Sequence, residues 1–388
     1  MYTLLSVVRT NVGDFLYHQR IKELLDYFKP GEKHLELSLD KGVDYQKPLD
    51  DYLDKINTTR AILICGGPLY FPDLFPARIP VVTNFKKLKV PVIPFGWGLG
   101  GTMDCYKNFK FTIESALFLN FIHNNCRFSS VRDILTQKVL NEYGYENVIM
   151  TGDPAWYNLK YFGLKFNLPD KCGVKKIVFT TAQNLVHDTR LYLLNKEMIK
   201  TLRKLFPEQE IYLSVHKGRI VETDALYYVR GIVKLKDKIG KESMKKIMSK
   251  IKNSLKQSLP WSKNRRLNEL IKIAKNLGYK TTEATGDLSK IAFYDTCDLH
   301  IGFRLHAHLY FLSIKKPSYL IYEDVRGQGF ANTINSDREL PYNSPDVIET
   351  TIRNFQDDFN NGFQQYKEIF TKLEGNFKEM EKFVKSLP

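Results

Sequence analysis

A chain of 388 residues with 43% hydrophobic side chains and a net charge of +15 is a globular protein, long enough for two cores of roughly 150–200 residues each. That hydrophobic share excludes a disordered chain, and no apolar run reaches the roughly 20 residues a membrane-spanning helix needs. The charge is local: residues 217–275 hold 17 Lys and Arg against 5 Asp and Glu, so +12 of the +15 belongs to one segment.

The first nine residues lack a basic start ahead of their apolar run. They read as a strand over 4–8 and not as a secretion signal. Asn11-Val12-Gly13-Asp14 turns the chain, and helical spacing follows over 15–28 up to Pro30-Gly31. Strands are expected over 61–65, ending in Gly66-Gly67-Pro68, and over 90–95, ending in the glycine-rich 96–101 loop. A strand over 128–131 leads into Arg132-Asp133 and a helix over 134–143. Residues 148–150 form a strand that runs into Thr151-Gly152-Asp153-Pro154. Strands ending in Gly- or Asp-containing loops are the pattern of an open parallel sheet, whose ligands sit beyond its carboxyl ends.

A second α/β pattern follows a weakly periodic stretch over 161–175. Strands are expected over 176–181, 211–215, 299–303 and 318–322, with helices over 191–206, 268–277 and 307–314. Helix continues from 344 to the end. The fold class is therefore α/β, with two facing Rossmann-like domains, an interdomain cleft and a helical tail. The boundaries fall at 1–165, 166–343 (carrying a basic insert, 217–266) and 344–388.

The five cysteines, Cys65, Cys105, Cys126, Cys172 and Cys297, are odd in number and never in a CxxC pair. That argues against a disulfide framework and a zinc site, and points to a reducing cytoplasm. HExxH, P-loop and GxSxG motifs are absent, and the 96–101 loop does not complete GxGxxG. No metal and no nicotinamide are expected.

Arg304-Leu305-His306-Ala307-His308 closes an apolar strand with one fixed cation and two imidazoles. A guanidinium fork matches a carboxylate or phosphate, and a histidine moves a proton near neutral pH. The bland alternative is a surface arginine with two core-edge histidines.

Several landmarks in order resemble the polysaccharide pyruvyl transferases. They are Asn11-x-Gly13-Asp14, Gly66-Gly67, the 96–101 loop, Ser130-Val131-Arg132-Asp133, Gly152-Asp153-Pro154-Ala155 and Arg304-Leu305-His306-Ala307. The resemblance spans about residues 1–340. It implies a fold like the two-domain GT-B glycosyltransferases, with an acceptor-side N-terminal half and a donor-side C-terminal half. It also implies transfer of pyruvate from phosphoenolpyruvate, as co-substrate and without a cofactor, onto a sugar as a cyclic ketal. By this resemblance Arg304, His306, Arg326 and Arg132 bind the donor, with His308 beside them. Asn11, Asp14, Gly66, Gly67 and Gly98 fall on the acceptor side. Three departures stand out: Pro68 replaces a third glycine, Arg326 replaces a lysine, and the loop Thr180-Thr181-Ala182-Gln183-Asn184 lacks an arginine found in many relatives. His308 stands where relatives often carry an aliphatic residue.

Ketal formation needs a proton on the enol carbon and a base for the sugar hydroxyls. His306 is the candidate acid, as an imidazolium near pH 7, and Asp14 and Glu323 are the candidate bases. Each has a plainer reading. Gly13-Asp14 could cap the first helix, Asp153-Pro154 a turn, and Arg132-Asp133 could be a structural ion pair.

The basic insert reads as an amphipathic helix over 241–261. Met244, Ile247, Met248, Ile251, Leu255 and Leu259 share a face, and Pro260-Trp261 ends it. Lys245, Lys246, Lys250, Lys252, Lys256 and Trp261 have the composition of an interfacial helix on an anionic membrane. The alternatives are a helix packed on the core with a solvated basic face, and nucleic-acid binding, which no accompanying motif supports. Membrane docking would suit an acceptor sugar on a polyprenyl-diphosphate lipid, as where capsular or wall polymers are built at the inner face of the cell membrane. Other functions weighed are a glycosyltransferase using a nucleotide sugar and an inactive scaffold of the same fold.

Overall fold

The computed structural model describes residues 1–6, 11–38, 49–79, 81–163, 173–216 and 260–388. The first half runs β1 (Tyr2–Ser6), α1 (Val12–Phe28), β2 (His34–Ser38), α2 (Leu53–Ile56), β3 (Ile62–Cys65), β4 (Pro68–Tyr70), β5 (Val92–Phe95) and β6 (Gly98–Leu99). It continues with α3 (Ile113–Asn125), β7 (Ser129–Val131), α4 (Ile134–Glu142) and β8 (Val148–Met150). The second half runs β9 (Lys176–Thr180), α5 (Thr189–Leu205), β10 (Glu210–Val215), α6 (Pro260–Asn276), β11 (Lys280–Glu283), β12 (Leu299–Gly302), α7 (Leu305–Ser313), β13 (Ser318–Tyr322), α8 (Val325–Ile334) and β14 (Glu339–Pro341). Helices α9 (Val347–Asn360) and α10 (Tyr366–Ser386) follow.

Two parallel sheets form, ordered β2-β1-β3-β5 and β11-β10-β9-β12-β13-β14. Central strands such as β1, β3 and β12 are buried along their whole length, as helices on both faces of a parallel sheet require. In each sheet the chain reverses direction once, between β1 and β3 and between β9 and β12. Such switch points open a crevice at the carboxyl ends of the strands. The two halves meet here: Asn11, after β1, bridges to Thr285 in the loop after β11, and Gly13 in the first turn of α1 packs directly on the His306 ring of α7.

Helix α1 starts at Val12, three residues earlier than the apolar spacing suggests, because Asn11 Oδ1 accepts from Gly13 N and caps it. The expected tail helix is two helices, because Gly362 and Phe363 adopt positive φ between them. Pro260 and Trp261, expected to end a helix, lie inside α6. Strands β2, β11 and β14 carry alternating or polar residues and were not legible as buried runs. Helix α10 straddles the molecule. Its first residue Tyr366 exchanges hydrogen bonds with the backbone of Ser318 in β13, and its last turn packs Phe383 on Phe95 of β5, ring centroids 5.0 Å apart. No helix among the described residues is long and apolar enough to cross a membrane.

Candidate active site

Strand β12 ends at Gly302, where a Cβ would lie 2.4 Å from Thr180 Oγ1; glycine lets the two switch-point strands close up. The chain then turns through Phe303 and Arg304 into α7. No side chain caps the first turn of α7, so its N–H groups and positive helix end face the crevice without a protein anion bonded to them. A recess here is lined by Arg304, His306, Tyr322, Glu323, Asp324 and Arg326, among others.

The three arginines differ in how they are occupied. Arg326 is ion-paired with Asp324, through Nε to Oδ2 at 2.8 Å and a closer contact from Nη2. Burial works against its charge, but the Asp324 carboxylate outweighs that and raises its pKa. Arg132 donates to Leu99 O at 3.0 Å and lies 3.5 Å from Asp133 and 3.9 Å from Asp153. Arg304, 6% exposed, has no ion pair among the described residues; its Nη1 donates to Gln183 Oε1 at 3.0 Å. Burial first, and then the neighbouring Arg326, push its pKa down to about 10. A buried cation without a carboxylate partner is costly, and an incoming anion would relieve that cost.

Gln183, which sequence reasoning passed over, organises this wall. Its Oε1 accepts from both Arg304 and Arg326, while its backbone N donates to Glu323 Oε1 at 2.6 Å. Glu323 Oε2 accepts from Asn184 N at 3.0 Å. Glu323 thus clamps the loop after β9, with both oxygens engaged. Burial raises its pKa against the pull of Arg304. The only signal in the sequence was position: Gln183 sits in the loop where relatives carry an arginine.

His306 is 6% exposed. Its ring packs on Gly13 and near Tyr17, centroids 5.8 Å apart, and its Nε2 has no hydrogen-bond partner among the described residues. Burial, then the charges of Arg326, Arg132 and Arg304, hold its pKa well below the usual histidine value. This corrects the expected resting imidazolium: three cations and a dry setting keep the free site's imidazole neutral. Asp14, half-buried in the first turn of α1, accepts from Tyr17 OH at 3.1 Å, and its charge reaches Arg304 and Arg326.

Other expected site residues turn inward. His308 is fully buried, with Nδ1 2.7 Å from Ser318 Oγ and Nε2 3.1 Å from Glu339 Oε1. It is not a wall of the recess, since it follows His306 by two residues and so faces away from it on the helix. Arg132 is held by its own carboxylates and acts on His306 through its field. Gly66 and Gly67, with φ of 58° and 91°, are covered by the Tyr17 ring, and Gly98 by the Arg132 guanidinium. Gly66 N donates to Phe95 O at 2.8 Å and Gly98 N to Gly67 O at 3.0 Å. These two glycine N–H groups serve the fold and not a ligand. Asn11 acts as a cap, and Asp153 caps the turn at Ala155 N. Lys245, Lys246, Lys250, Lys252 and Lys256 lie outside the described residues. Trp261 falls within α6, but its side chain is outside the description.

A family model described as polysaccharide pyruvyl transferase matches residues 11–325. No curated protein matches the chain. Among solved structures, UDP-GlcNAc 2-epimerase from Neisseria meningitidis bound to UDP-GlcNAc is similar in fold, with a TM-score of 0.53, 11% identity, and coverage of 100% of this chain and 99% of that one. The S. aureus MnaA structure with UDP gives a TM-score of 0.52 at 10% identity, covering 95% and 90%. These likenesses establish the GT-B-like architecture.

Proposed function

The chain belongs to the polysaccharide pyruvyl transferase family, and from that premise we propose that it moves pyruvate from phosphoenolpyruvate onto a sugar of a polysaccharide precursor. The observation that carries the donor reading is Arg304, a buried cation without an ion pair among the described residues, beside a start of α7 that none of those residues' side chains caps. Together they form a site for a small, multiply charged anion.

In this reading two sugar hydroxyls replace the enol-phosphate oxygen on C2 of the donor. The first adds to C2 as C3 takes a proton and becomes methyl. The second adds as the C2–O bond to phosphate breaks. One hydroxyl proton ends on the methyl carbon and the other on inorganic phosphate, so the enzyme relays protons without net consumption. Arg304 and the helix end hold the donor's charge. Their neutralisation by the donor removes part of what keeps His306 unprotonated and the donor's own charge favours the imidazolium, so His306 Nε2 takes up a proton it can give to C3. Asp14 is the base that receives the hydroxyl proton. Glu323, engaged with the loop after β9, supports the arginines.

The test is calorimetry with phosphoenolpyruvate and with UDP-sugars. At pH 7 to 7.5, phosphoenolpyruvate is expected to bind with uptake of up to one proton, read from heats in buffers of different ionisation enthalpy. Uptake should shrink as pH falls toward the depressed free-state pKa of His306. Binding of UDP-sugar alone would turn the reading to a glycosyltransferase, and binding of neither to a scaffold. Release of inorganic phosphate with an acceptor sugar checks turnover.

The acceptor is proposed to be a sugar on a polyprenyl-diphosphate lipid at the cytoplasmic face of the membrane. The concentration of +12 in residues 217–275 supports this, at roughly 1 kcal/mol per basic residue near an anionic surface. Flotation with anionic liposomes should recover the wild-type protein. It should lose a variant with Lys245, Lys246, Lys250, Lys252 and Lys256 changed to glutamate; equal recovery would refute docking through this segment.

A further inference from the structure

A row of buried polar side chains crosses the second sheet beneath Arg304. Thr180 ends β9, His300 lies in β12, Ser318 opens β13, Glu339 opens β14, and His308 belongs to α7. Thr180, His300, Ser318 and His308 are fully buried and Glu339 is 4% exposed. The contacts are continuous. Arg304 N lies 3.2 Å from Thr180 Oγ1, which lies 2.9 Å from His300 Nε2. Ser318 Oγ is 2.7 Å from both His300 Nδ1 and His308 Nδ1. His308 Nε2 is 3.1 Å from Glu339 Oε1, a charge contact and not an aligned hydrogen bond; neither this nitrogen nor either Glu339 oxygen has a hydrogen-bond partner among the described residues.

The two ends fix the direction of every bond between them. A bare ring nitrogen 3.1 Å from a carboxylate oxygen would be repelled by it, so His308 Nε2 carries its hydrogen toward Glu339 and Nδ1 accepts from Ser318. Ser318 has one hydrogen, so it accepts from His300 Nδ1–H. His300 Nε2 is then bare and accepts from the Thr180 hydroxyl, whose oxygen accepts the Arg304 N–H. From Ser318 to Arg304 every donor finds an acceptor. The opposite tautomer, with His300 protonated at Nε2, would leave the Thr180 hydroxyl hydrogen without an acceptor among the described residues, a costly arrangement in a dry interior. Burial, which strongly favours neutral His300, agrees with the first arrangement.

We propose that this row is a positioning device for the anion-binding cap, with His300 held as the Nδ1–H tautomer and His308 as the Nε2–H tautomer. Aligned hydrogen bonds then run from the Arg304 backbone N–H to the His308 ring, whose far side faces the Glu339 carboxylate, and fix where α7 begins. Its benefit to donor binding rests on the reading of Arg304 given above; its tautomers do not. Thr180, His300, Ser318, His308 and Glu339 are positioning residues, acting through Arg304.

Two measurements on the full chain test it. Long-range proton–nitrogen NMR of histidine-labelled protein should show His300 protonated at Nδ1 and His308 at Nε2. His300 protonated at Nε2 would overturn the proposal. Thr180→Val removes the hydroxyl at nearly constant volume, and Thr180→Ser retains it. Phosphoenolpyruvate affinity should fall about tenfold in the valine variant, one hydrogen bond's worth, and stay near wild type in the serine variant. Equal affinities in folded wild-type and valine proteins would overturn the positioning role. If the valine variant does not fold, Glu339→Gln and Glu339→Ala replace it. Glutamine keeps an acceptor for His308 and should keep the His300 tautomer, whereas alanine should lose it; the same tautomer in both would overturn the proposal. If the wild type binds no phosphoenolpyruvate, the donor reading fails separately and the tautomers alone decide.

Discussion

Replacing Arg304 with leucine is expected to weaken phosphoenolpyruvate binding by about a hundredfold, while leaving the folded protein as stable as before or more so. A charge-assisted hydrogen bond contributes about 1.5–3 kcal/mol, and a guanidinium facing a dianion in a dry recess belongs at the top of that range. The stability half of the prediction follows from partners. Arg304 is buried, its guanidinium donates to Gln183, and no carboxylate pairs with it among the described residues. Its burial therefore destabilises the free protein, and leucine removes that penalty. Arg326→Leu is the contrast. It strands Asp324 as a half-buried, unpaired anion and is expected to cost up to about 3 kcal/mol of stability. Titration calorimetry and thermal unfolding of the two variants decide the matter. Unchanged donor affinity in Arg304→Leu, or a stability loss matching Arg326→Leu, would remove Arg304 from its assigned place.

The protein is expected to lose stability steeply as pH falls below about 6.5. His123, His216, His300 and His306 are all depressed by burial, His123 to about 4 and the other three well below the ordinary value. In the unfolded chain they take up protons near 6.5, while in the folded chain they do not. The unfolded state then binds more protons, so stability is full above the unfolded value and declines on acidification. Each histidine contributes a slope of up to about 1.4 kcal/mol per pH unit, so four together give about 3 kcal/mol per unit near pH 6.5 and approach about 5 roughly one unit lower. Asp133, Asp153 and Glu323 act in the opposite sense, since burial raises them, so the net slope is smaller than the histidines alone would give. Urea unfolding at several pH values measures it. His123→Gln should flatten the slope by one histidine's share between about 6.5 and 4; an unchanged slope would show that His123 already charges in the folded protein.

Much of the architecture was legible because parallel sheets leave a strong trace. Buried strands such as Ile62–Cys65 and Val92–Phe95 are continuous apolar runs, and glycines mark their carboxyl ends. The polar edge strands left no such trace, because Lys280–Glu283 has one neighbour and little to bury. At the site, the sequence pointed to Arg304, His306 and Arg326, which line one recess. It could not rank the three cations, because that depends on which carboxylates fold against each. Nor could it place His308 in the sheet's interior, since Ser318 and Glu339 are 10 and 31 residues away in the chain. The glycine motifs misled for a related reason. Gly66 and Gly98 were read as acceptor-side residues, whereas the groups that approach their backbone are the protein's own Tyr17 and Arg132.

Helix α10 bears on how the protein is made. Phe95, in the first sheet, packs against Phe383, nearly 290 residues downstream. At roughly 5–20 residues per second, a ribosome takes on the order of 15–60 seconds to supply that partner. During that interval the nascent first half carries an uncovered apolar sheet face, a ready substrate for chaperones. Its last covering turn arrives only after Phe383 has been synthesised, so the two halves are expected to mature as one cooperative unit and not in the order in which they are translated.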